Sequence, residues 1–168
     1  MTDTLQTRTG FSFTVRPASP DDGEALTEFF EHVSRDDLRF RFLSAVHHVS
    51  EGQIDAMTHA DHVGYEDFVA KSLTGDAIIA NATLAIDQSL STAEVAISIH
   101  SDFKGKGIGW TLLDYVARYV KSRGIKTLHS IESRDNHATI ELEREMGFKA
   151  TSYEGDATLV KLEAQLQD

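Results

Sequence analysis

Ala93-Glu94-Val95-Ala96-Ile97-Ser98-Ile99, followed closely by Lys104-Gly105-Lys106-Gly107-Ile108-Gly109, is the stretch that decides the fold. The first segment alternates, as a strand does when one face turns to a core. The second opens an amphipathic helix over about residues 107–123, with Ile108, Leu112, Tyr115, Val116 and Tyr119 at helical spacing and Gly124 as its stop. Glycine lets the backbone come close to whatever lies over it. A helix start leaves N–H groups without partners, and these together with the helix dipole favour an anion. Lys104 and Lys106 add positive charge at the same place. The strand, glycine loop and helix therefore predict a phosphate-bearing ligand at one helix end.

Upstream of this unit, Phe11-Ser12-Phe13-Thr14-Val15-Arg16 reads as a strand closed by Pro17. Ser19-Pro20-Asp21-Asp22 starts a helix that carries Leu26, Phe29, Phe30 and Val33 on one face. Further helical stretches begin near Ser34 and at Ser50. The period then changes, and residues 67–71 and 77–85 read as strands joined by a turn at Gly75-Asp76. Downstream, residues 127–131 form a strand and residues 136–146 a helix stopped by Gly147. A hairpin of residues 148–153 and 157–162 closes the chain. The order is that of a mixed α/β (α+β) domain rather than a bundle or a barrel.

The chain has 168 residues, 40% of them hydrophobic and 26% charged, which suits one ordinary globular domain over residues 11–168. Residues 1–10, MTDTLQTRTG, lack the apolar core of a secretion signal and read as a flexible polar tail. No apolar run reaches the roughly 18 residues of a membrane span, so no membrane association and a cytoplasmic setting are expected. With no cysteine there is neither a disulfide framework nor a cysteine nucleophile. A net charge of −11 repels nucleic acid and favours cationic partners such as amines. An anionic ligand then needs a local positive patch, which the glycine segment supplies.

Three phosphate-binding designs compete for that segment. A Walker loop needs a Gly-Lys pair followed by Ser or Thr, and none exists here. A dinucleotide fingerprint would put Trp110 where a glycine or alanine belongs, after a strand that alternates instead of being apolar throughout. The third design fits: the segment resembles the acyl-CoA-binding loop of the GNAT superfamily of N-acyltransferases, [R/Q]-x-x-G-x-[G/A], with Lys104, Gly107 and Gly109 on its fixed positions and lysine in place of Arg or Gln. Asn136, with Phe148 twelve residues later in Glu145-Met146-Gly147-Phe148, is similar to that superfamily's second signature. Val15-Arg16-Pro17-Ala18 and Asp36-Asp37-Leu38-Arg39-Phe40-Arg41-Phe42 resemble one subgroup, the protein-lysine acetyltransferase domain found alone or fused to bacterial acyl-CoA synthetase-like proteins.

The resemblance implies a GNAT-like mixed, mostly antiparallel sheet of about six to seven strands with a splayed central pair and about four helices. It implies acetyl-CoA as co-substrate, with no metal. The backbone of Ile97, Ser98 and Ile99 would pair with the pantetheine arm. The N–H groups of Gly105, Lys106, Gly107, Ile108, Gly109 and Trp110, beside Lys104, would hold the pyrophosphate. Asn136 would contact the arm from the other side. The acceptor would be an amine, either a protein lysine or a small molecule, and the protein a monomer or homodimer.

Acetyl transfer to an amine needs a group to take the ammonium proton, since lysine titrates near 10.4. Glu94 is the candidate base, ten residues before Lys104; the bland alternative is a solvated strand-start glutamate. A backbone N–H near Ile97–Ile99 is the candidate for holding the oxyanion. Many members of the superfamily carry a tyrosine acid seven residues after the asparagine. Here that position is Glu143, read as a helix-surface residue, with Tyr115, Tyr119 and Tyr153 as substitutes. His47, His48, His59 and His62 cluster near Asp55 and Asp61 and are read as surface histidines, not metal ligands. Arg39 and Arg41 are placed at the border of an acceptor groove or in a mixed surface-and-core pattern. A non-catalytic acyl-CoA-binding module built on the same loop remains the alternative to an enzyme.

Overall fold

The computed structural model describes residues 2–43 and 49–166. Eight strands form one sheet: β1 (Asp3–Gln6), β2 (Ser12–Pro17), β3 (Tyr65–Ser72), β4 (Ile78–Ile86), β5 (Thr92–Ile99), β6 (Thr127–Ser133), β7 (Lys149–Ser152) and β8 (Leu159–Gln165). Their spatial order is β1-β2-β3-β4-β5-β6-β8-β7. The helices are α1 (Gly23–Glu31), α2 (Arg35–Phe42), α3 (Glu51–Thr58), α4 (Ile108–Ser122) and α5 (His137–Glu145). This is the mixed, mostly antiparallel architecture expected, with one strand and one helix more than the approximate counts.

Local chemistry sets most of the boundaries. Ser34 and Ser50 cap α2 and α3 by accepting from the N–H groups of Asp37 and Gln53. Gly124 and Gly147 follow α4 and α5 with φ of 82° and 100°, a conformation that suits glycine at C′. The two sheet faces bury separate cores. Ile108, Leu112, Leu113, Val116 and Val120 of α4 pack against Phe68, Leu84, Val95 and Leu128 on one face. Leu26, Phe29, Phe30, Leu38, Ile54 and Met57 of α1–α3 pack with Val69 and Ile78 on the other.

The extra strand corrects the reading of residues 1–10 as a flexible tail. Residues Asp3–Gln6 pair antiparallel with β2, Leu5 opposite Phe13. The following turn is pinned by the Thr7 N–H donating to the Phe11 carbonyl at 2.8 Å and by Gly10 donating to the Thr7 carbonyl at 3.0 Å. Backbone pairing at an edge, helped by the Tyr115 hydroxyl donating to Asp3 at 2.9 Å, orders a segment whose side chains show little pattern. Among the described residues no helix is long and apolar enough to cross a membrane.

The feature that positions the site is the one parallel pairing. β5 and β6 are in register only at Thr92/Thr127, Ala93/Leu128 and Glu94/His129. Beyond Glu94 the two strands part. β5 continues on β4, with Ile97 opposite Ala82 and Ile99 opposite Ala80, while β6 continues on β8. The sheet opens at its centre.

Candidate active site

A cavity of about 320 Å³ occupies this opening. Ala96, Ile97, Ser98 and Ile99 of β5 form one wall. Ile131 and Glu132 of β6, with Asn136, Thr139, Leu142 and Glu143 around α5, form the opposite wall. Lys104, Gly105, Gly107, Ile108, Gly109 and Trp110 close one end, and Asp37, Phe40 and Arg41 of α2 border it. Of the residues expected to bind the ligand, only Lys106 does not line the cavity; its ammonium sits over the Phe11 ring, 5.4 Å from the centroid.

The loop before α4 is built for close backbone approach. Gly105 and Gly107 have φ of 81° and 87°, the left-handed region that favours glycine. A Cβ on Gly107 would lie 3.3 Å from the Thr7 Cβ, so the N-terminal hairpin sits directly behind the loop. Thr9 donates to the Lys106 carbonyl at 2.8 Å, and the Arg8 guanidinium stacks 3.8 Å from the Trp110 ring centre. The N–H groups of Ile108, Gly109 and Trp110 precede the first bond of α4, from the Thr111 N–H to the Gly107 carbonyl at 3.3 Å, and have no partner within the helix. Lys104 reaches Asp37 of α2 at 2.6 Å, so its charge is held at the rim. On the β5 wall the buried Ser98 hydroxyl has no hydrogen-bond partner among the described residues, and neither does the Arg41 Nε. Buried polar atoms are nearly always paired, so both suit a polar ligand in the cavity. A free edge of β5, a glycine loop and an orphaned hydroxyl together fit an extended arm ending in a diphosphate.

Glu94 sits at the fork where β5 and β6 diverge. Its half-exposed carboxylate accepts from His129 Nε2 at 3.2 Å, which holds it below the usual carboxylate range. It does not itself line the cavity, although Ala96 and Ser98, on its own strand face, do. Arg41 is buried, and its Nη2 donates to Thr83 at 3.1 Å. Thr83 in turn donates to Asp67 at 2.7 Å, and Asn81 donates to the same carboxyl at 2.6 Å. Burial pushes Asp67 up to about 8. Arg39 instead stacks on Phe40 outside this network.

Glu143 corrects the surface reading. It is 4% exposed, faces the cavity and accepts from the Ser130 hydroxyl at 2.6 Å. Its carboxyl also comes within reach of that of Glu132, a residue no sequence pattern singled out. Helical spacing held a signal, since Glu143 lies three residues from both Ile140 and Met146, which pack on the core. Tyr115 and Tyr119 face away, packed edge-on against Phe68 and bonded to Asp3 and Glu66. His59 bonds Thr58, and His62 bonds Glu66. His47 and His48 lie outside the described residues. Among the described residues no group of three or more His, Cys, Asp or Glu is placed to hold a metal ion.

Comparison with known proteins agrees with this geometry. The profile of the acetyltransferase (GNAT) family matches residues 26–148. An acetyltransferase of Pseudomonas aeruginosa is 24% identical over 148 residues, covering 87% of this chain and 80% of that protein. The GNAT domain of S. lividans PAT superposes with a TM-score of 0.89 at 25% identity, over 98% of this chain and 96% of that one. A spermidine N-acetyltransferase from Vibrio cholerae, solved with CoA and spermine, shares the fold with a TM-score of 0.75 at 17% identity, over 92% and 95% of the two chains.

Proposed function

The chain belongs to the acetyltransferase (GNAT) family, and on that footing we propose that it moves an acetyl group from acetyl-CoA to a primary amine by direct attack of the amine on the thioester. The observation that carries this reading is the cavity between the parted strands β5 and β6, closed at one end by the glycine loop. The N–H groups from Gly105 to Trp110 hold the diphosphate, with Lys104 adding charge at the rim. The free edge of β5 at Ile97–Ile99 and the side chain of Asn136 hold the pantetheine arm from its two sides.

Glu94 takes the amine proton through a water. The lowered pKa keeps its carboxylate ionised at neutral pH, and it shares a strand face with Ala96 and Ser98 on the cavity wall. A backbone N–H of Ile97–Ile99 stabilises the negative charge that develops on the carbonyl oxygen. Direct attack is favoured because the chain has no cysteine to form an acyl-enzyme. The acceptor is a cation in its resting form, consistent with a net charge of −11, and is either a protein lysine or a small amine.

Incubation with acetyl-CoA and a panel of lysine peptides and polyamines, following free thiol, tests the reading. Amine-dependent thiol release is expected, together with thermal stabilisation by acetyl-CoA that grows as RT ln(1 + [L]/Kd). Stabilisation without thiol release for any amine would leave only a binding module.

A further inference from the structure

Part-buried Glu132 and buried Glu143 form a carboxyl pair that neither ligand binding nor the Glu94 base uses. They come from different elements, β6 and α5, and both face the cavity. Their carboxyl groups come within hydrogen-bonding reach of each other. A carboxylate only accepts hydrogen bonds, so two carboxyls can bond directly only when one carries a proton. The surroundings support that state. Ser130 of β6 donates to Glu143, and Arg41 of α2 is the cation facing Glu132. Arg41 also faces Glu94 and Asp67, so its charge is divided among several carboxyls. Burial and the like charge of its neighbour raise Glu132 well above the usual range, and burial raises Glu143. Glu94, on the opposite strand of the fork, is shifted down. Two carboxyl sites pushed apart in this way divide acid from base work.

Resting on the acetyl-transfer reading above, we infer that the Glu132–Glu143 pair holds one shared proton on the cavity wall and delivers it to the sulfur of the departing thiol. The nitrogen–carbon bond forms and the carbon–sulfur bond breaks. The ammonium loses one proton through water to Glu94 before attack, the nitrogen loses a second to solvent as the amide forms, and the sulfur gains one from the pair. Glu94 then releases its proton to solvent and the pair regains one, so the enzyme returns to its starting state. The proton belongs to the pair and is not assigned to either residue.

Three measurements on Glu143→Gln, Glu132→Gln and the unaltered protein test this. Infrared difference spectra of the protein without ligand, unaltered minus variant at pH 7, should show a protonated carboxyl that each substitution removes. Calorimetry should show CoA affinity within about twofold of the unaltered protein, since glutamine still accepts from Ser130. Thiol release should show kcat down by about 10²-fold, at the low end for general acid catalysis. The unaltered enzyme is expected to lose kcat at alkaline pH, and that loss should be absent from both variants. No protonated carboxyl at pH 7, or kcat within twofold in both variants, would overturn the proton-donor role while leaving the transferase reading intact. An unaltered protein that binds CoA but acetylates no amine would overturn both.

Discussion

Glu94 and Glu143 show how unlike two glutamates of one chain become. Glu94 begins on an alternating strand, ends half-exposed beside His129, and stays ionised. Its place on one strand face with Ala96 and Ser98 was legible in the sequence, because period-two alternation fixes which residues share a face. Glu143 was not legible in the same way. Its burial depends on Ser130 and Glu132, which reach it through the fold, and an isolated glutamate in a helix is normally solvated. For Glu94→Gln, kcat/KM is expected to fall by about 10²-fold at pH 7. The deficit should shrink toward pH 10, where the amine deprotonates without help. Thiol release across that range checks it, and unchanged turnover at pH 7 would remove Glu94 from the reaction.

At the scale of elements, the strand, the glycine loop and the helix behind it were visible because each follows from local chemistry, whereas the parting of β5 and β6 was implied only by the family resemblance. The strand alternates, the helix has its apolar stripe, and glycines sit where φ is positive. β1 was hidden because its order comes from backbone pairing at an edge and from contacts made far along the chain, Thr9 with Lys106 and Arg8 with Trp110. The hairpin thereby braces the loop that closes the cavity. Removing residues 1–10 is expected to lower Tm by several degrees, a loss of about 2 kcal/mol, and to weaken CoA binding. A dispensable tail would change neither. Thermal unfolding with and without CoA distinguishes the two outcomes.

Across the whole molecule, stability and pH are linked through groups that the sheet buries. Asp22 accepts from Arg16 at 2.7 and 2.8 Å and is held at about 2. Its contribution is complete above the ordinary aspartate range and is lost as pH falls through about 2. Asp67 behaves in the opposite sense. Its folded pKa of about 8 lies above the unfolded value, so folding favours the protonated form and that advantage is lost as pH rises from about 4 to about 8. Relative to Asp67→Asn, the unaltered protein should therefore lose Tm steadily over that range. Parallel Tm profiles would show that Asp67 does not titrate in this window. Asp67 left no mark in the sequence, since it looks like any strand-start aspartate until β4 brings Asn81 and Thr83 against it.

The most direct measurement is a crystal structure with acetyl-CoA bound. The diphosphate is expected within hydrogen-bond distance of the N–H groups of Gly105–Trp110, the pantetheine arm between β5 and β6, and the thioester beside Glu132 and Glu143. A diphosphate bound elsewhere, or a cavity that stays closed to the arm at saturating acetyl-CoA, would contradict it.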